Sequence, residues 1–223
     1  MMKLMIKSSQ PALWGRMESC AAVGNRRRPP LLRPSAVRLF LPIACAALLA
    51  AGDSIPAQDT ALQIDPAHTR VEFTLGDVLH TVHGAFQLKR GNIRFDTATG
   101  KAAGELVVDA ASGSSGSGAR DHRMNTSVLE SARYPDIVFR PDRVEGKVAL
   151  EGASQVQLHG MFTIHGAEHE ITIPLEVEAA DGQFTANGRF VVPYVKWGMK
   201  NPSTLVLRVS DKVQIEIHTV AHR

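Results

Sequence analysis

The chain has 223 residues, with 25 Lys and Arg against 22 Asp and Glu and a net charge of +3 at pH 7, a length that suits one domain with an N-terminal appendage. Residues 1–57 carry eight of the basic and two of the acidic residues, so subtraction from the totals leaves 17 basic and 20 acidic residues in 58–223. The body of the protein is therefore mildly acidic, which argues against a nucleic-acid partner.

Residues 1–57 have the parts of a secretory signal peptide. Five arginines between positions 26 and 38 form a basic region, and LFLPIACAALLAA (39–51) is an apolar run of 13 residues. A membrane-spanning helix needs about 20 such residues. We expect cleavage after Gly52 or, preferably, Ala57, and a periplasmic or secreted mature protein; a retained anchor is the alternative. Cys20 and Cys45 both lie in the leader, so the mature chain has no thiol for a disulfide or a nucleophile.

From residue 62 onward, apolar side chains recur at every second position, as in a strand with one buried and one wet face. Ile171, Ile173, Leu175 and Val177 show this alternation most clearly. Turn signals separate the runs at 91–92, 97–100, 145–146, 165–166 and 181–182. The pattern predicts eight strands, with 212–220 closing the sheet: 69–75, 81–90, 92–96, 101–109, 136–144, 154–164, 169–178 and 183–193. Short connections imply antiparallel pairing, and so many strands in 58–223 fit a barrel or a sandwich.

One stretch breaks this period. The segment SGSSGSG (112–118) is interpreted as a flexible linker from its composition. Residues 120–132 contain neither Gly nor Pro and predict one short helix that ends before Tyr134-Pro135 and covers one end of the sheet. Arg120, Asp121 and Arg123 are predicted to have a structural role, in which an Arg–carboxylate pair at the start of the helix ties it to the barrel.

The inward face leaves two interpretations open. An eight-stranded barrel is at the size where side chains either fill the interior or line a cavity for one small ligand. Small inward residues at Ala186, Gly160 and Gly188 would leave room for a ligand. Periodicity does not choose between the two.

Five segments between Ile64 and His218 resemble the YceI-like family, which consists of exported lipocalin-like barrels that bind polyisoprenoid lipids. They are IDPAHTRVEFTL (64–75), VHGAFQLKRGNIRFD (82–96), RDHRMNTSVLESARYPDIVF (120–139), LHGMFTIHGAEHEITIPL (158–175) and VSDKVQIEI (209–217). The resemblance implies an all-β, antiparallel, eight-stranded lipocalin-like barrel with one short helix and a tunnel for an isoprenoid, quinone or fatty-acyl chain, without a cofactor. The chain departs from many relatives at Gly76-Asp77, where they carry a histidine, and at His169, where a lysine is common.

With this resemblance, we predict that the protein is a lipid carrier or scavenger and not an enzyme. The residues expected to contact the lipid are Val71, Phe73, Phe86, Phe95, Phe139, Phe162, Ile173, Phe184, Phe190 and Trp197. Trp197 is either a loop anchor packed on the barrel end or a gate at the tunnel mouth. Transient membrane contact and a homodimer are both compatible with the sequence.

Two alternatives stay open. His165 and His169 have HxxxH spacing, with Glu168 between them, which would suit a metal site in a stress-related barrel that acts through a metal or a protein partner. A lipid isomerase or cyclase needs only one placed acid, although no residue stands out for that role. A hydrolase is disfavoured, because the chain has no Gly-x-Ser-x-Gly motif and Asp121 and His122 are adjacent on a helix. The main prediction therefore includes no metal site.

Overall fold

The structure is a computed structural model that describes residues 59–76, 81–204 and 208–223. The predicted signal peptide, both cysteines and Asp77 lie outside these ranges. No helix within them is long and apolar enough to cross a membrane.

The described ranges contain ten β segments and one short helix, and every β pairing is antiparallel. Their bounds are β1 Asp59–Ile64, β2 Arg70–Gly76, β3 Thr81–Phe86, β4 Leu88–Asp96, β5 Ala102–Asp109, α1 Gly118–Arg123, β6 Asp136–Glu145, β7 Gly152–Ile164, β8 Ala167–Ala180, β9 Gln183–Val192 and β10 Val213–His222.

The ten segments occupy eight positions around a closed barrel. β1 and β2 lie end to end along β10, with Ile64 opposite Ala221 and Val71 opposite Ile217. β3 and β4 likewise lie end to end, since β3 pairs with β2 and β4 pairs with β1. From β4 onward each strand pairs with the next as far as β10, which closes the circle on β1 and β2. The predicted eight-stranded antiparallel barrel with one short helix is confirmed.

The strand prediction was wrong at Gly91-Asn92, which lie inside β4 and not in a turn. Gly91 is buried beside β1, the strand with which β4 pairs, and a Cβ there would lie 2.9 Å from the Cβ of Ile64. The break falls instead at Gln87, whose backbone N–H donates to Ser112 Oγ (2.8 Å) and whose carbonyl accepts from the N–H of Asp109 (2.9 Å). Strand β1 was not predicted.

The segment 112–118, interpreted as a flexible linker, is hydrogen-bonded to the barrel. Ser114 and Ala85 exchange two backbone hydrogen bonds of 2.9 Å, so the segment extends the sheet beside β3. The helix that follows is shorter than predicted. α1 ends in one π-helical turn, Met124–Val128, and Glu130 then adopts a positive φ of 47° that stops the helix.

The barrel has two unlike ends. The upper end carries the connections 110–135 and 193–212 and the tight turn at His165-Gly166; the lower end carries the shorter connections 97–100, 146–151 and 181–182. The turns at 165–166 and 181–182 have positive φ at both central residues, as two-residue hairpins require. The Tyr134 ring lies over Gly166 and 4.7 Å from the His165 ring, which joins the helical connection to the β7–β8 turn.

Gly160 lies opposite an irregularity in β6 between Pro141 and Arg143. A Cβ on Gly160 would collide with the carbonyl oxygen of Arg140 and the Cα of Pro141, which are backbone atoms. We therefore predict that Gly160→Ala lowers the free energy of unfolding by about 1–3 kcal/mol, measured by urea denaturation. Gly76→Ala is the matched control, because a Cβ there meets nothing within 4 Å. Equal stability of the two variants would contradict this account of Gly160.

Candidate functional site

The barrel encloses a cavity of about 590 Å³, within the roughly 300–1,000 Å³ typical of small-molecule sites. Its described wall runs from Phe184, Thr219 and Ala221 in the lower half to Met124 and Pro202 at the upper end. Seven lining residues are polar and all others are apolar; the polar ones are Thr69, Ser115, Ser117, Arg120, Arg123, Tyr194 and Thr219. An occupant would therefore contact hydrocarbon along most of its length.

Nine of the ten predicted site residues line this cavity, and Trp197 does not. The nine are Val71, Phe73, Phe86, Phe95, Phe139, Phe162, Ile173, Phe184 and Phe190. Of the three small residues expected to leave room, only Ala186 is on the wall. Gly160 makes space for the β6 backbone, and Gly188 for the side chains of Leu175 and Ile173.

The aromatic residues of the wall contact one another sideways around the barrel. Phe73 and Phe86 have ring centroids 5.3 Å apart, and Phe162 and Phe190 pack edge to face at 5.9 Å. Phe73 and Phe162 are buried, with exposed fractions of 5% and 9%. In each pair the rings pack against each other along the wall, and the centre of the barrel stays open as the cavity.

The upper end of the cavity is polar because the connection from β5 to β6 folds back over it. Arg120 donates from Nε to Ser115 Oγ (2.7 Å) and from Nη2 to the Ser115 carbonyl oxygen (2.8 Å). Asp121 Oδ1 accepts from the Ser115 hydroxyl and from its backbone N–H (2.8 Å). The predicted pair between Arg120 and Asp121 is replaced by bonds of both side chains to Ser115. Sequence reasoning missed this serine because it treated 112–118 as a linker.

Trp197 anchors the connection 193–212 to the barrel. Its ring stacks on the imidazole of His169, with centroids 4.0 Å apart and planes 5° apart, and it lies 5.9 Å from the Phe162 ring. Tyr194 ties the same connection to itself by donating from its hydroxyl to the Ser210 carbonyl oxygen (2.7 Å). Burial raises the pKa of Tyr194 to about 12, so the hydroxyl keeps its proton at neutral pH. This placement matches the anchor interpretation of Trp197.

His169 is an inward-facing polar residue on β8, in alternation with the exposed Glu168 and Glu170. Its Nε2 atom is buried and has no hydrogen-bond partner. Burial lowers the pKa of the imidazole below its usual range, because desolvation disfavours the charged form. His169 is therefore neutral at pH 7 under Trp197.

The predicted HxxxH pair is not brought together. His165 lies in the turn, with Nε2 at 3.6 Å from Glu130 Oε2, whereas His169 is under Trp197 and Glu168 lies on the outer face. No group of three or more His, Cys, Asp or Glu in the described part of the chain has an arrangement suited to a metal ion.

A different histidine, missed by the sequence analysis, is buried on the outside of the barrel. His159 is 5% exposed, with Nδ1 2.8 Å from Asp142 Oδ1 and Nε2 2.8 Å from Glu170 Oε1. Arg143 Nη1 lies 2.9 Å from the same Nδ1. Because the two carboxylates lie against opposite nitrogens of the ring, we assign this cluster to the linkage of β6, β7 and β8.

The fold and the cavity define an antiparallel, lipocalin-like barrel with an apolar interior. The sequence model of the YceI-like domain matches residues 62–221, and the chain belongs to that family. The crystal structure of BcnA from Burkholderia cenocepacia superposes with a TM-score of 0.60 at 20% identity, covering 70% of this chain and 98% of that one. A polyisoprenoid-binding domain from Saccharophagus degradans, implicated in plant cell wall breakdown, gives 0.57 at 16% identity, with 72% and 97% coverage. A search of curated proteins finds no match.

The environment of His169 predicts a pH dependence of stability. Its folded-state pKa is depressed, so below about pH 6.5 the unfolded chain binds a proton that the folded protein does not. The free energy of unfolding should therefore fall as the pH drops through this range. His169→Phe keeps a ring against Trp197 and removes the unpartnered nitrogen. We expect this variant to lose part of the pH dependence and to be as stable as the wild type at neutral pH, or more stable by about 1 kcal/mol.

The measurement is urea unfolding of both proteins at about pH 7.5 and about pH 5.5. His222→Gln, a substitution of an exposed histidine at the lower end, is the control and should behave like the wild type. An unchanged difference between the two pH values in His169→Phe would contradict the prediction.

Proposed function

We propose that the protein binds one long apolar lipid, an isoprenoid, quinone or fatty-acyl chain, inside the barrel and carries or sequesters it in the periplasm. The observation that carries this proposal is the apolar cavity of about 590 Å³, whose wall includes nine of the residues chosen from the sequence. Membership of the YceI-like family supports it. So does the likeness in fold to a domain described as polyisoprenoid-binding.

Binding would be driven by removal of hydrocarbon from water. Each buried CH₂ contributes about 0.8 kcal/mol, so two more carbons strengthen binding by roughly tenfold until the cavity is full. The wall favours ligands that are long and apolar. It does not distinguish one kind of hydrocarbon chain from another, because it offers few hydrogen-bonding groups along the barrel. Isoprenoid and acyl chains of similar length should therefore compete.

Binding is favoured over catalysis by the chemistry of the wall. Among the described residues that line the cavity there is no Asp, Glu, His or Cys, the side chains that most often serve as acid, base or nucleophile. The isomerase or cyclase alternative requires an acid in contact with the lipid; the described wall has no carboxylic acid or imidazole, and the hydroxyl of Tyr194 is hydrogen-bonded to the Ser210 carbonyl oxygen.

Filling the cavity should shorten the preferred chain. Ala186→Phe adds a ring to the cavity wall on β9, so we expect the wild-type rise in affinity with chain length to stop at a shorter chain and the longest chains to bind at least about tenfold more weakly. Val191→Phe places the same ring on the outer face of the same strand, where Val191 is 54% exposed, and should bind as the wild type does. Dissociation constants for a series of isoprenoid alcohols, with thermal unfolding to verify folding, make the measurement. Affinity independent of chain length in the wild type would contradict the proposal.

Native material offers a second test of the lipid. Mass spectrometry of protein purified from its own periplasm, before and after organic extraction, should show a co-purifying lipid that extraction removes. Protein that is lipid-free when isolated gently would oppose the proposal.

The proposed location has its own test. The basic region before position 39 and the apolar run at 39–51 are typical of a signal peptide. We expect N-terminal sequencing of the mature protein to begin at Asp53 or Gln58, and recovery in the periplasmic fraction. A mature chain that retains residues before position 50 would contradict cleavage.

A further inference from the structure

The two ends of the barrel differ in charge as well as in length of connection. The connections at the upper end, 110–135 and 193–212, together carry seven Lys and Arg against three Asp and Glu. Those at the lower end, 97–100, 146–151 and 181–182, carry one basic residue and two acidic ones. The two long connections at the upper end are therefore net positive, whereas the connections counted at the lower end are net negative.

Two of these basic side chains belong to the cavity wall. Arg120 and Arg123 both line it, next to Ser115 and Ser117, and both are exposed to solvent. They are the charged residues among the described lining residues. The cavity therefore joins a long hydrocarbon surface to a short cationic one, a combination that matches a lipid with an anionic head and does not match a wholly apolar molecule.

The local hydrogen bonds leave Arg123 available to a ligand. Ser115 holds the guanidinium of Arg120 through two hydrogen bonds and also occupies one carboxylate oxygen of Asp121, the nearest acid in sequence. The guanidinium of Arg123 makes no hydrogen bond or ion pair with any described residue. A planar guanidinium can donate two parallel hydrogen bonds to a carboxylate or a phosphate.

From this geometry we infer that the cavity takes a lipid with an anionic oxygen headgroup, a carboxylate or a phosphate, which lies at the upper end against Arg123 with its chain running toward the lower end. The inference rests on the proposed lipid binding and deepens it by naming the head and the direction of the chain. Arg123 is the residue that contacts the headgroup. Arg120, held by its two hydrogen bonds to Ser115, contributes a fixed positive charge at the same end of the cavity.

The test compares ligands that share one chain and differ only in the head. Geranylgeraniol, geranylgeranyl phosphate and the corresponding carboxylic acid are titrated into lipid-free protein by calorimetry. We expect the phosphate, the acid or both to bind at least about tenfold more tightly than the alcohol, and the ratio to shrink as NaCl rises from about 50 mM to about 500 mM. The anion that binds more tightly than the alcohol identifies the preferred headgroup as a phosphate or a carboxylate.

Three variants test whether Arg123 is the residue that favours the anionic ligands. Arg123→Gln should remove most of the gain of the anion over the alcohol, measured as the ratio of the two dissociation constants within that variant. Arg123→Lys, which keeps the charge but not the two parallel donors, should fall between the two. Arg94→Gln removes the same charge from an exposed position on β4 that is outside the cavity wall, and should retain the full gain.

The possible results distinguish a failure of this inference from a failure of the proposed lipid binding. If all three ligands bind equally well, or if the anion keeps its advantage in Arg123→Gln, the inference is overturned and lipid binding stands. An equal loss in Arg94→Gln overturns it as well, since the effect would then be one of net charge. If none of the ligands binds, the proposed function itself fails.

Discussion

The structure depends on closure of the sheet through β10, which pairs with β9 on one side and with both β1 and β2 on the other. Closure gives every described strand except β3 two hydrogen-bonded neighbour strands over part of its length and turns the alternating side chains into an inside and an outside. With eight positions around the circle, the interior is wide enough that residues on opposite walls need not touch. The cavity follows from this geometry and from a wall built of rings that pack against their neighbours.

Closure also explains why one strand can be interrupted without loss of the barrel. β3 and β4 are separated at Gln87, whose backbone groups bond instead to Ser112 and Asp109. The connection that follows β5 therefore completes the sheet edge beside β3 and brings Ser115 to the cavity. The same segment that breaks the strand pattern in the sequence thus supplies the polar part of the site. Its glycines and serines allow the segment to pack closely against the barrel. At Gly113, for example, a Cβ would meet the Phe86 ring and the methyl group of Met124.

Much of the barrel could be predicted from local pattern, because apolar side chains at every second position identify the inward-facing residues even when the partner strand is unknown. Nine predicted wall residues followed from that period together with the resemblance to the family. Other features depend on distant contacts that no local pattern records. Gly91-Asn92 has the composition of a turn but lies in a strand that pairs with β1, and Ser114 is hydrogen-bonded to a residue 29 positions earlier. The presence of a cavity was also beyond the sequence, because it depends on distances across the barrel and not on the order of side chains along one strand.

The contrast between the two long connections suggests how the ends of the site are divided. The described part of the 193–212 connection is held by Trp197 on His169 and by Tyr194 on Ser210, and it places Met199 in the buried core. The 110–135 connection is held to the barrel through Ser114 and places Leu129 in the same core, but its helix α1 has no buried residue. Segments with few buried contacts open at lower free energy than the core around them. Under the proposed lipid binding, this contrast favours entry of the chain beside α1, past Arg123, over entry beneath Trp197.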